Sequence, residues 1–129
     1  MKRSFELAWL LDYERRLAER YQYFLSLVMI SPLTRNVDIV ELLSGTMRSC
    51  DMVFSSNDEY AVLMPHTSLH EAKIAITRYK SMCNGEIGLR FSVTCYPDDI
   101  SSITDPIQIG RRRLELAKRS GASEIISAG

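Results

Sequence analysis

The stretch "FSSNDEYAVLMP", residues 54–65, decides how this chain folds. Short strand-like segments near 52–55 and 59–64 flank a polar turn, the pattern of a β-hairpin. The second segment, "YAVLM", is apolar throughout, as a strand is when both its faces are covered. The turn carries two adjacent carboxylates, Asp58 and Glu59. Acids beside a buried strand are candidates for holding a metal ion or a substrate.

Upstream, "YFLSLVMI" (23–30) is a near-continuous apolar run of strand length, which predicts a central strand. "SPLTRN" breaks it, and Asn36 can cap a helix from 37 to about 48, with Ile39, Val40, Leu43 and Met47 facing inward. Gly45 inside that helix costs about 1 kcal/mol against Ala. Downstream, "HTSLHEAKIAITRYKSM" is the clearest helix. Ser68 and Glu71 have capping-box spacing, and Ala72, Ala75, Ile76, Tyr79 and Met82 share a face. "LRFSVTCY" alternates, with Leu89, Phe91, Val93 and Cys95 on one side. Asp105 caps a last helix whose first position is Pro106; Gly121 ends it, and "EII" fits a short final strand.

Before all of this, residues 4–21 read as a helix. Leu7, Leu10, Leu11, Leu17, Ala18 and Tyr21 form its apolar stripe, widened by Phe5 and Trp9. Two uses fit: packing on its own domain, or contact with a partner, because Trp and Phe outside the main stripe need cover. The order is helix, then β-α-β-β-α-β-α-β. Its β-α-β-β-α-β part is the ferredoxin-like pattern, an α+β fold with helices over an antiparallel sheet. One domain over 1–129 is expected, with 1–21 as a leading helix and 22–129 as the core.

The chain has 129 residues, 46% hydrophobic and 25% charged, with 16 basic against 16 acidic side chains. This balance gives no long-range attraction to nucleic acid or anionic membrane, and neither is expected as a partner. The longest apolar run is too short to span a bilayer, and the N-terminus lacks a signal-peptide cleavage pattern. Three cysteines without a CxxC point to free thiols in a reducing cytoplasm rather than a disulfide framework or a zinc site. His66 and His70 are four apart, but Pro65 and the helix cap keep them off one helix face, so they read as surface histidines and no metal site is expected.

With the hairpin in this context, the chain resembles the GGDEF domain of diguanylate cyclases. The matching residues are "SNDEYAVLMPHTSLHEA" (56–72), "FSVTCYPDD" (91–99) and "LELAKRSGAS" (114–123), and the likeness runs from about residue 15 to 127. It implies a nucleotidyl cyclase-like antiparallel sheet, and a family in which two subunits join two GTP molecules with the help of bound cations.

The residues depart from what that chemistry needs. Ser56 and Asn57 stand where the family has two glycines, which let phosphates approach the turn without a side-chain clash. The metal-binding Asp of the first strand matches Met29, or else Ile30 or Ser31, none of them a carboxylate, while hard cations need oxygen ligands. Asp58, Glu59 and Tyr60 complete the turn as a remnant. The guanine-holding segment after the first strand is missing. Lys118 matches a phosphate-binding lysine, but Ala122 stands where an arginine is expected. The resemblance therefore implies a chain that lacks the cyclase activity and needs no cofactor. "RSCD" (48–51) keeps the Arg-x-x-Asp pattern of the family's product-inhibition site, with Arg48 and Asp51 as its ligand residues. Arg can pair bidentately with a phosphate or a guanine edge, and Asp accepts from guanine N–H groups. The same two residue types at a helix end are also common as a solvated pair. The basic run Arg111, Arg112 and Arg113 reads as a mostly solvated face.

Three readings follow. The first is a degenerate, catalytically inactive GGDEF-like signalling module acting by homodimer or heterodimer contact. The second is a cyclic di-GMP receptor using Arg48 and Asp51. The third is an enzyme of altered nucleotide chemistry using Asp58 and Glu59.

Overall fold

The computed structural model describes residues 4–32, 41, 43, 47, 48, 50–56, 59–83, 89–97, 105–120 and 125–126. Helix α1 spans Ser4–Tyr21, as the periodicity predicts. It ends in a Schellman-type turn: the Tyr23 N–H donates to the Ala18 carbonyl at 3.1 Å, and Gln22 takes a positive φ of 56°. This turn uses up Tyr23 and Phe24, so strand β1 begins later than expected and spans Leu25–Pro32. Tyr21, expected in the apolar stripe, is 63% exposed. It sits at the end of α1, with the Arg20 guanidinium 5.5 Å from its ring centroid.

Strand β2 spans Met52–Ser56, and β3 spans Glu59–Pro65. They pair antiparallel, with Ser56 opposite Glu59, so Asn57 and Asp58 alone make the connection. Those two residues lie outside the described ones. So does most of the helix expected over 37–48, of which Glu41 and Leu43 are helical and Leu43 is fully buried. Helix α2 spans Leu69–Cys83. Its capping box is formed: the Glu71 N–H donates to Ser68 Oγ at 3.2 Å, and the Ser68 N–H donates to Glu71 Oε1 at 3.0 Å. Strand β4 spans Leu89–Tyr96, helix α3 Pro106–Ser120 and strand β5 Ile125–Ile126. Asp105 caps α3 by accepting from the Ile107 N–H at 3.0 Å.

The sheet order is β2-β3-β1-β4-β5. The first four strands pair antiparallel, in the ferredoxin-like arrangement, and β5 joins β4 in parallel. Strand alternation sorts the core into two layers. Val28, Ile30, Val62, Met64, Phe91 and Val93 face α2 residues Ala72, Ile76 and Tyr79. Leu25, Leu27, Met29, Ala61 and Leu63 face Leu7, Leu11 and Ala18 of α1 and Ile107 and Leu114 of α3. The alternation of β4 predicts one apolar face, yet Ser92 and Thr94 are buried as well. Helix α3 lies over them, and the Ser92 hydroxyl donates to the Gly110 carbonyl at 2.8 Å. The small Ser92 side chain lets the helix approach closely and finds a backbone partner there.

Candidate functional site

Two places in this fold carry the residues singled out by the sequence. The first is where β1, the base of the β2–β3 hairpin and the start of α3 converge. Met29 lies mid-strand on β1, paired with Ala61 of β3 and Ser92 of β4, and is fully buried. Its Sδ lies only 2.7 Å from where a Cβ on Gly110 would stand. Glycine at this point of α3 is therefore what makes room for the thioether. Ile30, opposite Tyr60, is equally buried and belongs to the other core layer.

Glu59 opens β3 and faces α3. Its carboxylate accepts from Arg111 Nε at 3.0 Å and from Arg111 NH2 at 3.1 Å, a bidentate pairing across 52 residues of sequence. The hydrogen bond to Glu59 is the largest influence holding the Arg111 guanidinium charged. The run Arg111–Arg113 is thus not mainly a solvated face. Arg113 is buried and donates to the Val93 carbonyl at 2.9 Å, and Arg112 alone of the three is exposed. Successive helical positions point about 100° apart, which sends the three arginines to a carboxylate, a strand carbonyl and solvent. Tyr60 packs against the α2-side core. Lys118 lies further along α3 and pairs with Glu115 at 3.4 Å.

Two oxygen ligands and a phosphate-sized gap would be needed here for a divalent cation. Met29 supplies no oxygen, and Glu59 is engaged by Arg111, so these side chains do not fit such an ion. Among the described residues, no group of three His, Cys, Asp or Glu side chains could hold a metal. His66 stacks on Tyr23 with ring centroids 3.9 Å apart, before α2 begins, and His70 is exposed on α2.

The second place is the cleft beside Arg48 and Asp51. The two residues form a small closed turn: the Arg48 N–H donates to Asp51 Oδ2 at 3.1 Å, and the Asp51 N–H donates to the Arg48 carbonyl at 3.0 Å. Arg48 NH2 also donates to Asp51 Oδ1 at 3.2 Å, to the Pro65 carbonyl at 3.3 Å and to Thr67 Oγ1. The chain of bonds continues inward, since Ser26 Oγ of β1 donates to the Thr67 carbonyl at 2.7 Å. Partial burial works against the charge of Arg48, but its hydrogen bond to Asp51 and the carboxylate's charge outweigh that, so the guanidinium stays charged. The Asp51 side chain is 5% exposed, whereas that of Arg48 is 46% exposed.

Across a cavity of about 180 Å³ from this pair stands α2, contributing Glu71, Ile74, Arg78 and Tyr79. Burial, then the nearby Asp51 charge, push the Tyr79 phenol up to about 12, so it remains a neutral hydroxyl. Glu71 is held below the ordinary glutamate range by the backbone hydrogen bond from Ser68 and by the Ser68 side chain. The cleft therefore presents two arginines, two carboxylates and an apolar floor. It is smaller than the ~300–1,000 Å³ typical of sites that enclose a ligand. A base or a phosphate group would enter it while the rest of the ligand lay outside. The sequence reading missed Arg78. Its signal was the spacing of Glu71, Ile74 and Arg78, one helix face on which an isoleucine stands 46% exposed.

No family model matches the sequence, and no curated protein matches it. Solved structures do. The GGDEF domain of YfiN (TpbB) from Pseudomonas aeruginosa superposes with a TM-score of 0.86 at 18% identity, covering 100% of this chain and 96% of that one. The active GGEEF domain of a Vibrio cholerae diguanylate cyclase gives 0.79 at 13% identity, covering 96% of each chain. The GGDEF domain of DgcB from Caulobacter crescentus, solved with c-di-GMP, gives 0.78 at 10% identity, covering 94% of this chain and 85% of that one. The likeness takes in the whole sheet and the helices on both faces, so this chain has the fold of the GGDEF domains.

Proposed function

We propose that this is a catalytically inactive GGDEF-like signalling domain that works as a regulatory, protein-interaction module. The observation that carries this reading is Met29. At the strand position where the cyclase chemistry would place a carboxylate, a thioether is fully buried and packed beneath Gly110. Glu59, bound bidentately by Arg111, supports it. A partner-bound mode has a parallel in SiaD from Pseudomonas aeruginosa, a diguanylate cyclase solved with its activator SiaC. This chain matches 57% of that one's length, with a TM-score of 0.79 and 18% identity. The test is incubation with GTP and magnesium or manganese, following pyrophosphate and cyclic di-GMP. No turnover is expected, and enzyme-dependent formation of the cyclic dinucleotide would overturn the reading.

A second reading has its own observation, the Arg48–Asp51–Arg78 cleft. It would make the domain a receptor for cyclic di-GMP, with arginine on phosphate or a guanine edge and Asp51 accepting from guanine N–H groups. Three of the similar structures contain that ligand. Calorimetric titration with cyclic di-GMP decides it. Binding that is lost in both Arg48→Ala and Arg78→Ala supports the receptor, and no heat from the unsubstituted chain rules it out.

A further inference from the structure

Between β3 and α2 the chain makes a short strap, Pro65, His66 and Thr67, that neither reading uses. His66 takes a positive φ of 54° there, a left-handed conformation that residues with a side chain generally avoid. Its imidazole is exposed, yet it stacks on Tyr23 with centroids 3.9 Å apart and planes 25° from parallel. Tyr23 belongs to the turn that ends α1, and its hydroxyl donates to Glu14 Oε2 at 3.3 Å. Burial, then the Glu14 charge, push this phenol up to about 12, so the donor keeps its proton. The ring contact with Tyr23 is what His66 gains by staying left-handed.

On either side of His66 lie two acceptors of Arg48. Its NH2 donates to the Pro65 carbonyl at 3.3 Å and to Thr67 Oγ1. Thr67 is tied at every polar atom it has. Its N–H donates to the Phe24 carbonyl at 3.2 Å, its hydroxyl donates to the Pro65 carbonyl at 3.0 Å, and its carbonyl accepts from Ser26 Oγ at 2.7 Å. A change of φ at residue 66 turns Pro65 and Thr67 against each other, so both acceptors cannot then stay on one NH2. The turn after α1 and the Arg48 cleft are thus bonded to the same three residues from opposite sides.

We infer that residue 66 is a two-position latch: stacked on Tyr23 it stays left-handed and holds Arg48 in place at the cleft, and unstacked it relaxes and releases Arg48. The turn after α1 thereby sets how well the cleft holds an anion, and by linkage a bound anion tightens that turn. The affinity side of this rests on the receptor reading; the coupling of Tyr23 to Arg48 does not. Hydrogen exchange of the Thr67 amide, followed by NMR on the full chain without ligand, reads the coupling. Tyr23→Leu and Arg48→Ala should each speed it about tenfold, and the double variant no more than about twofold further, because either loss opens the same strap. Effects that multiply to about a hundredfold overturn the inference, as does either substitution leaving Thr67 unchanged. The Val28 amide, at the sheet centre, should exchange as in the parent. Equal acceleration at both amides means that the strap opens only with the whole fold, which also overturns the latch. His66→Val, at an exposed position but ill suited to positive φ, should act like Tyr23→Leu. Adding His66→Gly to Tyr23→Leu should restore protection, since glycine takes positive φ without the stack. A missing rescue leaves the ring a packing role and overturns the two positions. In calorimetry with cyclic di-GMP, Tyr23→Leu should weaken binding about three- to tenfold and His66→Gly should recover it. Unchanged affinity in a chain that binds overturns the latch. No binding by the unsubstituted chain sinks the receptor reading instead, and Thr67 exchange still decides the coupling.

Discussion

Two arginine–carboxylate pairs in this protein share their chemistry and differ in use of space. Glu59 and Arg111, 52 residues apart in sequence, meet at 3.0 Å and tie the hairpin to α3. Arg48 and Asp51 meet at 3.2 Å within one turn. The first pair is a two-pronged match, with one carboxylate face filled by one guanidinium edge. The second anchors Asp51 in the protein while nearly half of Arg48 stays open to a cleft that Arg78 also enters. Around the first, the arginine and the carboxylate occupy each other. Around the second, room remains. An ion pair alone therefore says little about binding; what matters is whether its arginine has somewhere left to donate.

The largest effect tests the closed region. Met29→Asp would supply the acid that cation chemistry calls for, but at a position with no exposure, packed beneath Gly110. An uncompensated buried carboxylate is expected to cost about 3–5 kcal/mol. Urea denaturation measures it, and activity with GTP and magnesium should stay absent. A variant as stable as the parent that turns over GTP would mean that the room is there after all.

The open region is tested next. In the receptor reading, Arg78→Ala should weaken cyclic di-GMP binding at least tenfold, about 1.4 kcal/mol, while changing stability by no more than about 0.5 kcal/mol, since the side chain is exposed. Arg48→Ala should lose binding too, and also unfold more easily, because Asp51 and Thr67 lose a shared donor. Unequal stability with equal loss of binding would separate the two arginines as pure contact and contact plus scaffold.

A double-mutant cycle on Glu59→Gln and Arg111→Ala sets the size of the closed pair. Both side chains keep some solvent access, 28% and 40%, so a coupling of about 0.5–1 kcal/mol is expected. Nucleotide should not change it. A coupling that collapses when GTP is added would show that Arg111 exchanges Glu59 for phosphate.

How far the sequence reached follows from these same residues. The helices with caps were legible: Ser68 and Glu71, and Asp105 before Pro106, mark their starts through local hydrogen bonds. The hairpin and the strand order were legible through apolar runs. The start of β1 was not, because the left-handed turn that delays it is at Gln22 rather than at a glycine or asparagine. Nor was the burial of Ser92 and Thr94 legible, since two small polar residues in alternation look the same under a helix as under water until the helix is placed. Of the site, Glu59 could be named by its place in the hairpin turn, and Arg48 with Asp51 by the resemblance to a family pattern. Arg111 and Arg78 could not. Arg111 meets Glu59 and Arg78 lines the cleft of Arg48 and Asp51, and only the packing of α3 and α2 on the sheet brings them there.

The smallest effect comes from Glu71, which belongs to the open cleft and to the start of α2 together. Its carboxylate accepts from the Ser68 N–H, and that bond lowers its pKa. A carboxyl whose folded pKa is depressed stabilises the fold above its unfolded value and loses that contribution as pH falls through the folded value. Glu71→Gln keeps an oxygen for the cap but removes the charge. The variant's stability should therefore match the parent's in acid and fall slightly below it at neutral pH. Ligand binding should move the other way. Glu71 is the exposed acid of a cleft that would receive an anion, so its neutral replacement is expected to raise cyclic di-GMP affinity about two- to threefold. The parent's affinity should rise as Glu71 titrates, and the variant's should lack that rise. If the substitution alters the cap but not the affinity, an anion approaching Arg48 and Arg78 does not pass the start of α2, and the bound group lies toward Ile74 instead.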